Sequence, residues 1–301
     1  MTGGPVRDRW AEWLLERRHG GDPEDLKTTM DFLAPVRDRV LRNAALMGGE
    51  TLLDVGAGDG LIAFGALELL GEGGHVIFSD ISRDLLDHSR SLARQMGVLD
   101  RCEFVHASAD DLSVLEEASI DVVTTRSVLI YVKNKRRTFE EFHRVLKPGG
   151  RLSIFEPINR FNTVDWSSES GIYLGHDVTP VKDLAVRVQA IYERIQPRET
   201  DPMLDFDERD LLAHSEEAGF GGVHLEYEAN ITHGNPYLSE GRGWETLLKT
   251  SGNPKIPTLE EAMNEALTAE EIEGFTAHLR PLVERNEGKG MSAHAYLWAV
   301  K

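Results

Sequence analysis

A glycine-rich stretch and one later carboxylate have the residue types and spacing of a small-molecule site. The pattern D-x-G-x-G-x-G begins at Asp54 and ends at Gly60. Glycine lets a chain turn sharply and lets a ligand lie against the backbone, where any Cβ would intrude. Asp80 follows 20 residues after Gly60, and a carboxylate can accept hydrogen bonds from two neighbouring hydroxyls. The pattern predicts a loop that holds a nucleotide-type ligand.

The spacing of the glycines distinguishes two such ligands. A dinucleotide fingerprint, G-x-G-x-x-G, has its third glycine five positions after the first, beside a pyrophosphate. Here that position is Leu61, and the third glycine comes one residue earlier. Asp54 would also add a negative charge near a pyrophosphate, whereas it suits a ligand with a cationic end and no phosphate. S-adenosylmethionine is such a ligand, and the spacing favours it.

The elements that must position this loop alternate between short β-branched runs and amphipathic helices, which is typical of a parallel sheet covered by helices. Strands are predicted at residues 51–55, 75–79, 102–107, 120–125, 151–155, 223–231 and 293–300, and helices at 82–96, 135–146 and 207–219. Before residue 50 the chain is predicted to be helical. There Asp22 is the N-cap, Pro23 lies in the first turn, and Pro35 divides the stretch to residue 47 into two helices.

Four ordered segments between about residues 50 and 156 resemble the class I S-adenosylmethionine-dependent methyltransferases, in particular the ubiquinone/menaquinone-type small-molecule branch. They are the loop at 54–60, Asp80 at the end of the next strand, the segment 104–112, and residues 120–126 followed by 142–150. The resemblance implies an α/β fold with a Rossmann-like seven-stranded, mostly parallel sheet and an antiparallel last strand. The expected fold also has helices on both faces of the sheet, an N-terminal helical cap and helical lid inserts.

The same resemblance implies S-adenosyl-L-methionine as the cofactor. The residues expected to bind it are Asp54, Gly56, Gly58, Gly60, Asp80, Ile81, Ser108, Ala109, Asp110 and Arg126. The family usually has an acidic residue where Ser108 stands. The adenine contact is therefore assigned to Ser108, a backbone carbonyl or Asp110.

The order of the predicted elements suggests a division of the chain into a core and inserts. The expected parts are an N-terminal cap (1–48), a cofactor-binding core (49–156), an insert forming a substrate wall (157–206), a core continuation (207–231), a helical lid insert (232–290) and a last core strand (291–301). Long inserts in a compact α/β domain usually form lids or substrate walls.

Methyl transfer to an oxygen, nitrogen or carbon nucleophile requires in-line alignment and exclusion of water, and a general base only when the acceptor is a hydroxyl. The candidate catalytic residues are His176, His233 and Tyr131; the candidate substrate-binding residues are Glu156, Asn159, Arg160, Tyr173, Tyr237 and Trp244. Trp10 and Trp13 either close over the site or pack in the core. The histidines show no metal-ligand spacing, so we expect no metal.

Two other functions stay open. Tyr131 and Lys135 have the Y-x-x-x-K spacing of short-chain dehydrogenases, which would make the chain an NAD(P)-dependent oxidoreductase. The third hypothesis is a non-catalytic S-adenosylmethionine-binding module.

Composition limits the partners. The chain of 301 residues carries 33 basic and 51 acidic side chains, a net charge of −18, which opposes binding to nucleic acid or anionic membranes. No apolar run is long enough to span a membrane. The single cysteine, Cys102, suits a reducing cytoplasm, so we expect a cytoplasmic monomer or homodimer. Residues 197–288 hold 7 basic and 20 acidic side chains, which favours a neutral or cationic small-molecule substrate.

Overall fold

The computed structural model describes residues 7–162, 170–234 and 243–301. Its strands are β1 (Thr51–Val55), β2 (His75–Asp80), β3 (Cys102–His106), β4 (Ile120–Arg126), β5 (Leu146–Pro157), β6 (Ile172–Tyr173), β7 (His176–Asp177), β8 (Gly221–His233) and β9 (Lys289–Val300). Seven of them form one sheet in the order β3-β2-β1-β4-β5-β9-β8. β1 to β5 pair in parallel, and β9 runs antiparallel to both β5 and β8. The predicted sheet is confirmed.

Helices cover both faces of this sheet. The described helices are α1 (Arg9–Glu12), α2 (Pro23–Asn43), α3 (Leu61–Leu70), α4 (Arg83–Gln95), α5 (Lys135–Val145), α6 (Asn159–Asn162), α7 (Lys182–Ile195), α8 (Glu208–Ala218), α9 (Trp244–Lys249), α10 (Leu259–Ala266) and α11 (Ala269–Glu284). Alternate residues of β1 point to opposite faces. Leu53 accordingly packs in a cluster with residues of α5 and α8, and Leu52 in one with residues of α2 and α3.

Short polar side chains begin the helices as expected. Asp22 Oδ1 accepts hydrogen bonds from the backbone N–H groups of Glu24 and Asp25 at the start of α2. Ser82 Oγ accepts one from Leu85 N at 3.0 Å at the start of α4. These bonds satisfy N–H groups that have no partner inside the helix.

The prediction that Pro35 divides the N-terminal region into two helices is wrong, because α2 continues through it. A proline inside a helix removes one backbone hydrogen bond and costs roughly 3 kcal/mol. The side chains of Leu33, Val36, Val40 and Leu41 are buried along the same helix. Burial of several such side chains, each worth about 1.5–3 kcal/mol, outweighs that cost.

The two inserts after β5 pack against each other. Tyr173 and Val188 from the first insert share one buried cluster with Trp244, Met263 and Phe275 from the second. We call this unit, which contains α7, α9, α10 and α11, the helical subdomain. Within the described parts of the chain, no helix has both the length and the apolar character needed to cross a membrane.

Candidate functional site

A cavity of about 1020 Å³ opens at the carboxyl ends of the parallel strands, where open α/β sheets bind their ligands. Three sets of residues line it. The glycine-loop side consists of Gly56, Gly58, Asp80, Ile81 and residues 107–110; the β9 side consists of Pro157, Asn159, Asn230, Thr232, Ser292, Ala293 and His294; the N-terminal wall includes Trp10, Trp13, Leu14, Arg18, His19, Asp25, Thr28, Thr29 and Phe32. Arg126, Tyr131 and Lys133 lie among them.

The glycine loop follows β1 directly. Gly56, Gly58 and Gly60 have φ angles of +66°, +57° and +86°, a region that residues with a Cβ rarely adopt. A Cβ at Gly56 would overlap the Val128 side chain, and one at Gly60 would overlap the Phe64 ring. Gly56 and Gly58 line the cavity, whereas Gly60 is the N-cap of α3 and lies behind its wall.

Asp80 ends β2 beside this loop, and its side chain is held at both oxygens. Oδ2 accepts a hydrogen bond from Gly58 N at 2.9 Å, and Oδ1 accepts one from Ser82 N at 2.8 Å. Burial raises the pKa of the carboxyl, while these backbone hydrogen bonds lower it. Each carboxylate oxygen can accept more than one hydrogen bond. Asp80 lines the cavity and can therefore bind two hydroxyls.

The segment after β3 completes the glycine-loop side. Ala107 N donates to the backbone oxygen of Asp80 at 3.1 Å, which fixes the segment beside that carboxylate. Ser108 Oγ donates to the Asp110 carboxylate, and all four residues from 107 to 110 line the cavity. With Ile81, Ala107 and Ala109 provide an apolar surface next to the polar Ser108–Asp110 pair.

Asp54 is the one member of the glycine pattern whose side chain lies well inside the sheet. Its carboxyl is buried, and Thr124 Oγ1 donates to it at 2.9 Å. Burial raises the pKa of Asp54 to about 7, against the lowering effect of Thr124 and Arg126. Asp54 does not line the cavity, although Arg126 at the end of β4 does. Asp54 therefore supports the glycine loop from within the sheet and not from the cavity.

The N-terminal residues 8–25, which we call the N-terminal strap, cross the cavity and are held at two anchors. At one end Asp8 accepts a hydrogen bond from Ser82 Oγ at 2.7 Å. In its middle, Trp13 Nε1 donates to the backbone oxygen of Ser251 at 2.8 Å, and Ser251 N donates to the backbone oxygen of Arg17 at 3.1 Å. The strap thus links the start of α4 to the helical subdomain. Of the two alternatives for Trp10 and Trp13, the structure favours closure over the site, since both rings line the cavity.

Tyr131 lies under the strap and is positioned by a buried carboxyl. Its ring packs edge-to-face against Trp10, with centroids 4.9 Å apart. Glu156 accepts hydrogen bonds from Val128 N and Leu129 N at 2.9 and 3.0 Å, and from Ile130 N at 3.3 Å. Glu156 therefore does not line the cavity as predicted; it fixes the turn that carries Tyr131.

The ionisation of these two groups follows from burial. Desolvation raises the pKa of Tyr131 to about 12, so the phenol is protonated at neutral pH and is unsuited to act as a base. Desolvation also raises the pKa of Glu156 to about 7, although three backbone N–H groups and Lys135 favour its charged form.

Two histidines that the sequence reasoning missed line the cavity, and each contacts a carboxylate. His19 Nδ1 lies 3.2 Å from Asp25 Oδ2 in the N-terminal wall. His294 Nε2 lies 3.0 Å from Glu228 Oε2 on the β9 side. His294 could have been found from the fold prediction, because an antiparallel last strand begins at the edge where the parallel strands end. For the His19–Asp25 pair the sequence carries no local signal.

The structure does not bring the two predicted histidine bases to the cavity. His176 is fully buried beneath the helical subdomain, where its Nδ1 contacts the backbone oxygen of Glu287. Desolvation lowers the pKa of its imidazole, which opposes protonation. His233 is exposed at the end of β8 and pairs with Lys289 in the sheet.

The predicted substrate-binding residues are also divided. Asn159 lines the cavity. Arg160 is exposed and lies 3.8 Å from Asp207, while Tyr173 and Trp244 are buried in the apolar core of the helical subdomain. Tyr237 lies outside the described residues. A large aromatic side chain in an insert can either pack in a hydrophobic core or line a binding site. Tyr173 and Trp244 pack in the core.

The Y-x-x-x-K pair does not form a joint site. Tyr131 lines the cavity, but the Lys135 ammonium is buried and donates to the backbone oxygens of Val132 and Pro202, both at 2.9 Å. It also forms an ion pair with Asp205. Lys135 is thus a structural cation that joins α5 to the segment before α8.

The described acidic residues between 197 and 288 do not line the cavity either. The described lining residues from that range are Met203, Asn230, Thr232, Thr250, Ser251 and Gly252. Several of the carboxylates instead pair with surface arginines, as Glu261 does with Arg17 and Glu271 with Arg187. The described carboxylates of that range therefore do not support the expectation of a cationic substrate.

The donor set of the site is poor in metal ligands. Within the described ranges, no group of three or more His, Cys, Asp or Glu side chains could hold a metal ion.

Comparison with known proteins gives a partial match in sequence and a broad match in fold. A family model described as a methyltransferase domain matches residues 46–206. The chain is 34% identical over 108 residues to the ubiquinone/menaquinone biosynthesis C-methyltransferase UbiE of Vibrio vulnificus (strain YJ016), covering 36% of this chain and 41% of that protein. It is 40% identical over 115 residues to the demethylmenaquinone methyltransferase of Clavibacter sepedonicus, covering 38% of this chain and 44% of that protein.

The chain therefore spans about two fifths of the length of these curated relatives. Among solved structures, the YcgJ protein of Bacillus subtilis superimposes with a TM-score of 0.52 at 14% identity, covering 88% of this chain and 97% of that one. At this identity the likeness establishes a shared fold.

Proposed function

The chain belongs to the methyltransferase-domain family, and from this premise we propose that it transfers a methyl group from S-adenosylmethionine to an oxygen, nitrogen or carbon nucleophile of a small organic molecule. The proposed reaction is an in-line displacement without a metal.

The observation that carries the proposal is the Asp80 carboxylate at the wall of the cavity, held by the backbone of the glycine loop and of α4. Its two oxygens suit the neighbouring hydroxyls of a ribose, and a hydrogen bond to a charged acceptor is stronger than a neutral one. The loop beside it admits no Cβ at Gly56. The residues present therefore fit the nucleoside part of the cofactor.

The remaining contacts follow from the order of residues around the wall. Ile81, Ala107 and Ala109 would flank the adenine, and the Ser108–Asp110 pair would meet its polar edge. The backbone of Gly56 and Gly58 and the side chain of Arg126 would hold the amino-acid end. When bound, the cofactor supplies a methyl group that its sulfonium makes electrophilic.

The protein's own contribution is orientation and the exclusion of water. Trp10, Trp13 and Tyr131 line the cavity between the glycine-loop side and the β9 side. An acceptor on the β9 side would therefore lie between these rings and the polar residues Asn159, Asn230 and His294. Correct orientation of two reactants can supply a large part of the barrier reduction.

Calorimetric titration of the protein with S-adenosylhomocysteine and, separately, with NADPH tests the cofactor. We expect saturable binding of the first and none of the second; the reverse result would establish an oxidoreductase. Turnover is then measured as S-adenosylhomocysteine release with phenols, alcohols, amines and activated carbon acids as acceptors. Cofactor binding without turnover of any acceptor would indicate a non-catalytic binding module.

A further inference from the structure

The β9 side includes His294, and one of its two ring nitrogens, Nε2, contacts a carboxylate. Glu228 Oε2 lies 3.0 Å from His294 Nε2. Glu228 is also bound by the Arg39 guanidinium, which holds the pKa of this carboxyl below its usual range. An ionised carboxylate only accepts hydrogen bonds. The contact therefore places the imidazole proton on Nε2 and leaves the lone pair on Nδ1.

Three elements hold this arrangement. Arg39 comes from α2, Glu228 from β8 and His294 from β9. The Arg39 guanidinium also pairs with Glu226 and stacks over the Tyr296 ring at 4.0 Å. The His294 ring packs against Phe155, with centroids 5.3 Å apart. The histidine is thus oriented by a charge network anchored in the sheet.

The other nitrogen of the ring has a different environment. The hydrogen bond to Glu228 involves Nε2 of His294, whereas Nδ1 has no partner among the described residues. His294 lines the cavity together with Asn159, Asn230 and Ser292. A base needs a basic lone pair within reach of the proton that it removes, and a fixed orientation makes that transfer efficient.

The charge of the β9 side indicates which acceptor needs such a base. Among the described residues that line this side, from Pro157 to His294, none is a carboxylate; Glu228 contacts Arg39 and His294 and is not a lining residue. The described lining residues of this side therefore offer a cationic amine no anionic partner. A neutral hydroxyl, in contrast, is a weak nucleophile until its proton is removed.

Resting on the proposed function, we propose that His294, positioned by Glu228 and Arg39, is the proton acceptor for a neutral hydroxyl-bearing substrate. The O–H bond breaks, its proton forms a bond to Nδ1, and the electron pair stays on the oxygen as the nucleophile. The imidazolium is stabilised by the Glu228 carboxylate and returns the proton to solvent.

Binding of 4-nitrophenol to the protein saturated with S-adenosylhomocysteine tests this step without turnover. Only the ionised phenol absorbs in the visible range, so absorbance at neutral pH reports the transfer of its proton. We expect the wild type to bind the probe and to increase its ionised fraction. His294→Gln should bind the probe and lose that increase, and Glu228→Gln should lose most of it.

His19→Gln is the matched control, because His19 lines the same cavity and also contacts a carboxylate. It should retain the increase in ionised probe. Retention of the increase in His294→Gln, its loss in His19→Gln, or no saturable binding of the probe to the wild type would each overturn the proposal. Absence of S-adenosylhomocysteine binding would instead contradict the proposed function, so the two failures are distinguishable.

Discussion

The glycine-loop side and the β9 side of the cavity are built in opposite ways. Gly56, Gly58 and Asp80 lie within one β-α-β stretch of the chain, and the backbone fixes the carboxylate directly. The β9 side brings together Asn159 of α6, Asn230 of β8 and His294 of β9. The first side depends on local backbone geometry, and the second depends on the packing of distant segments. This difference explains why the glycine motif could be recognised in the sequence, whereas the residues of the β9 side could not.

The largest expected effect is on the glycine-loop side. Asp80→Ala removes two charge-assisted hydrogen bonds to the cofactor and should raise the Kd for S-adenosylhomocysteine by about 30- to 1,000-fold. Isothermal titration calorimetry measures it, with Asp87→Ala as the control, because Asp87 forms an exposed ion pair with Arg90 on α4 and should leave the Kd unchanged. An unchanged Kd in Asp80→Ala would remove the assignment of the glycine-loop side.

The next prediction concerns the pH dependence of stability that arises from two buried carboxyls, Asp54 near the glycine-loop side and Glu156 near the β9 side. The pKa of Asp54 and that of Glu156 are each raised by burial to about 7. A carboxyl with a raised pKa binds its proton more tightly in the folded state, so its contribution to stability is complete at low pH. That contribution is lost as the pH rises from about 4 to about 7 and changes little above that, with a loss on the order of 3 kcal/mol for each group.

Urea unfolding between pH 5 and pH 8 checks this expectation. The free energy of unfolding of the wild type should fall across this range, and it should fall less in Asp54→Asn and in Glu156→Gln. Parallel curves for the wild type and both variants would show that neither carboxyl is protonated in the folded protein at pH 5.

A smaller effect is expected at the N-terminal strap, which adjoins both sides. Trp13→Phe keeps an aromatic ring at the wall but removes the hydrogen bond to Ser251. Loss of one such bond, worth about 1 kcal/mol, should weaken S-adenosylhomocysteine binding by about fivefold or less. Arg7→Ala, which removes an exposed ion pair with Glu16, serves as a control and should leave the Kd unchanged.

The smallest expected effect is that of His294→Gln on the cofactor, because the two sides bind different ligands. Its Kd for S-adenosylhomocysteine should equal that of the wild type within the error of the titration. A large increase in Kd would show that the β9 side also holds the cofactor and would remove the distinction between the two sides.

The fold was predictable from the sequence to the extent that local patterns determine it. Short apolar runs predicted the bounds of β1 to β4 nearly to the residue. Asp22 and Ser82 correctly predicted where α2 and α4 begin. The order of the motifs also predicted the family, which the comparison confirms. The continuity of α2 through Pro35 was missed because it depends on apolar contacts with α3 and the sheet that no local pattern contains.

The site was predictable in the same uneven way. The positions of Gly56, Gly58 and Asp80 in the wall follow from a strand-turn-helix motif. His176 and Tyr173 were proposed for the site, but tertiary packing buries them, since a polar or aromatic residue in an insert gives no indication of the direction in which it will face. Glu228 is 66 residues from His294 and 189 residues from Arg39 along the chain, so only the assembled fold brings the three together.

The double anchoring of Asp80 has a consequence for the entropy of binding. Two backbone hydrogen bonds fix the rotamer of its side chain when the protein folds. A ligand that meets this carboxylate therefore orders no side chain there, and the rotational freedom that a mobile acid would lose on binding is already absent. The affinity at this position should consequently depend strongly on the geometry of the ligand's two hydroxyls. It should depend only weakly on temperature, because little side-chain entropy is lost there on binding. A deoxy analogue would leave one rigid oxygen without its partner, because the carboxylate has no alternative orientation in which to recover the lost contact.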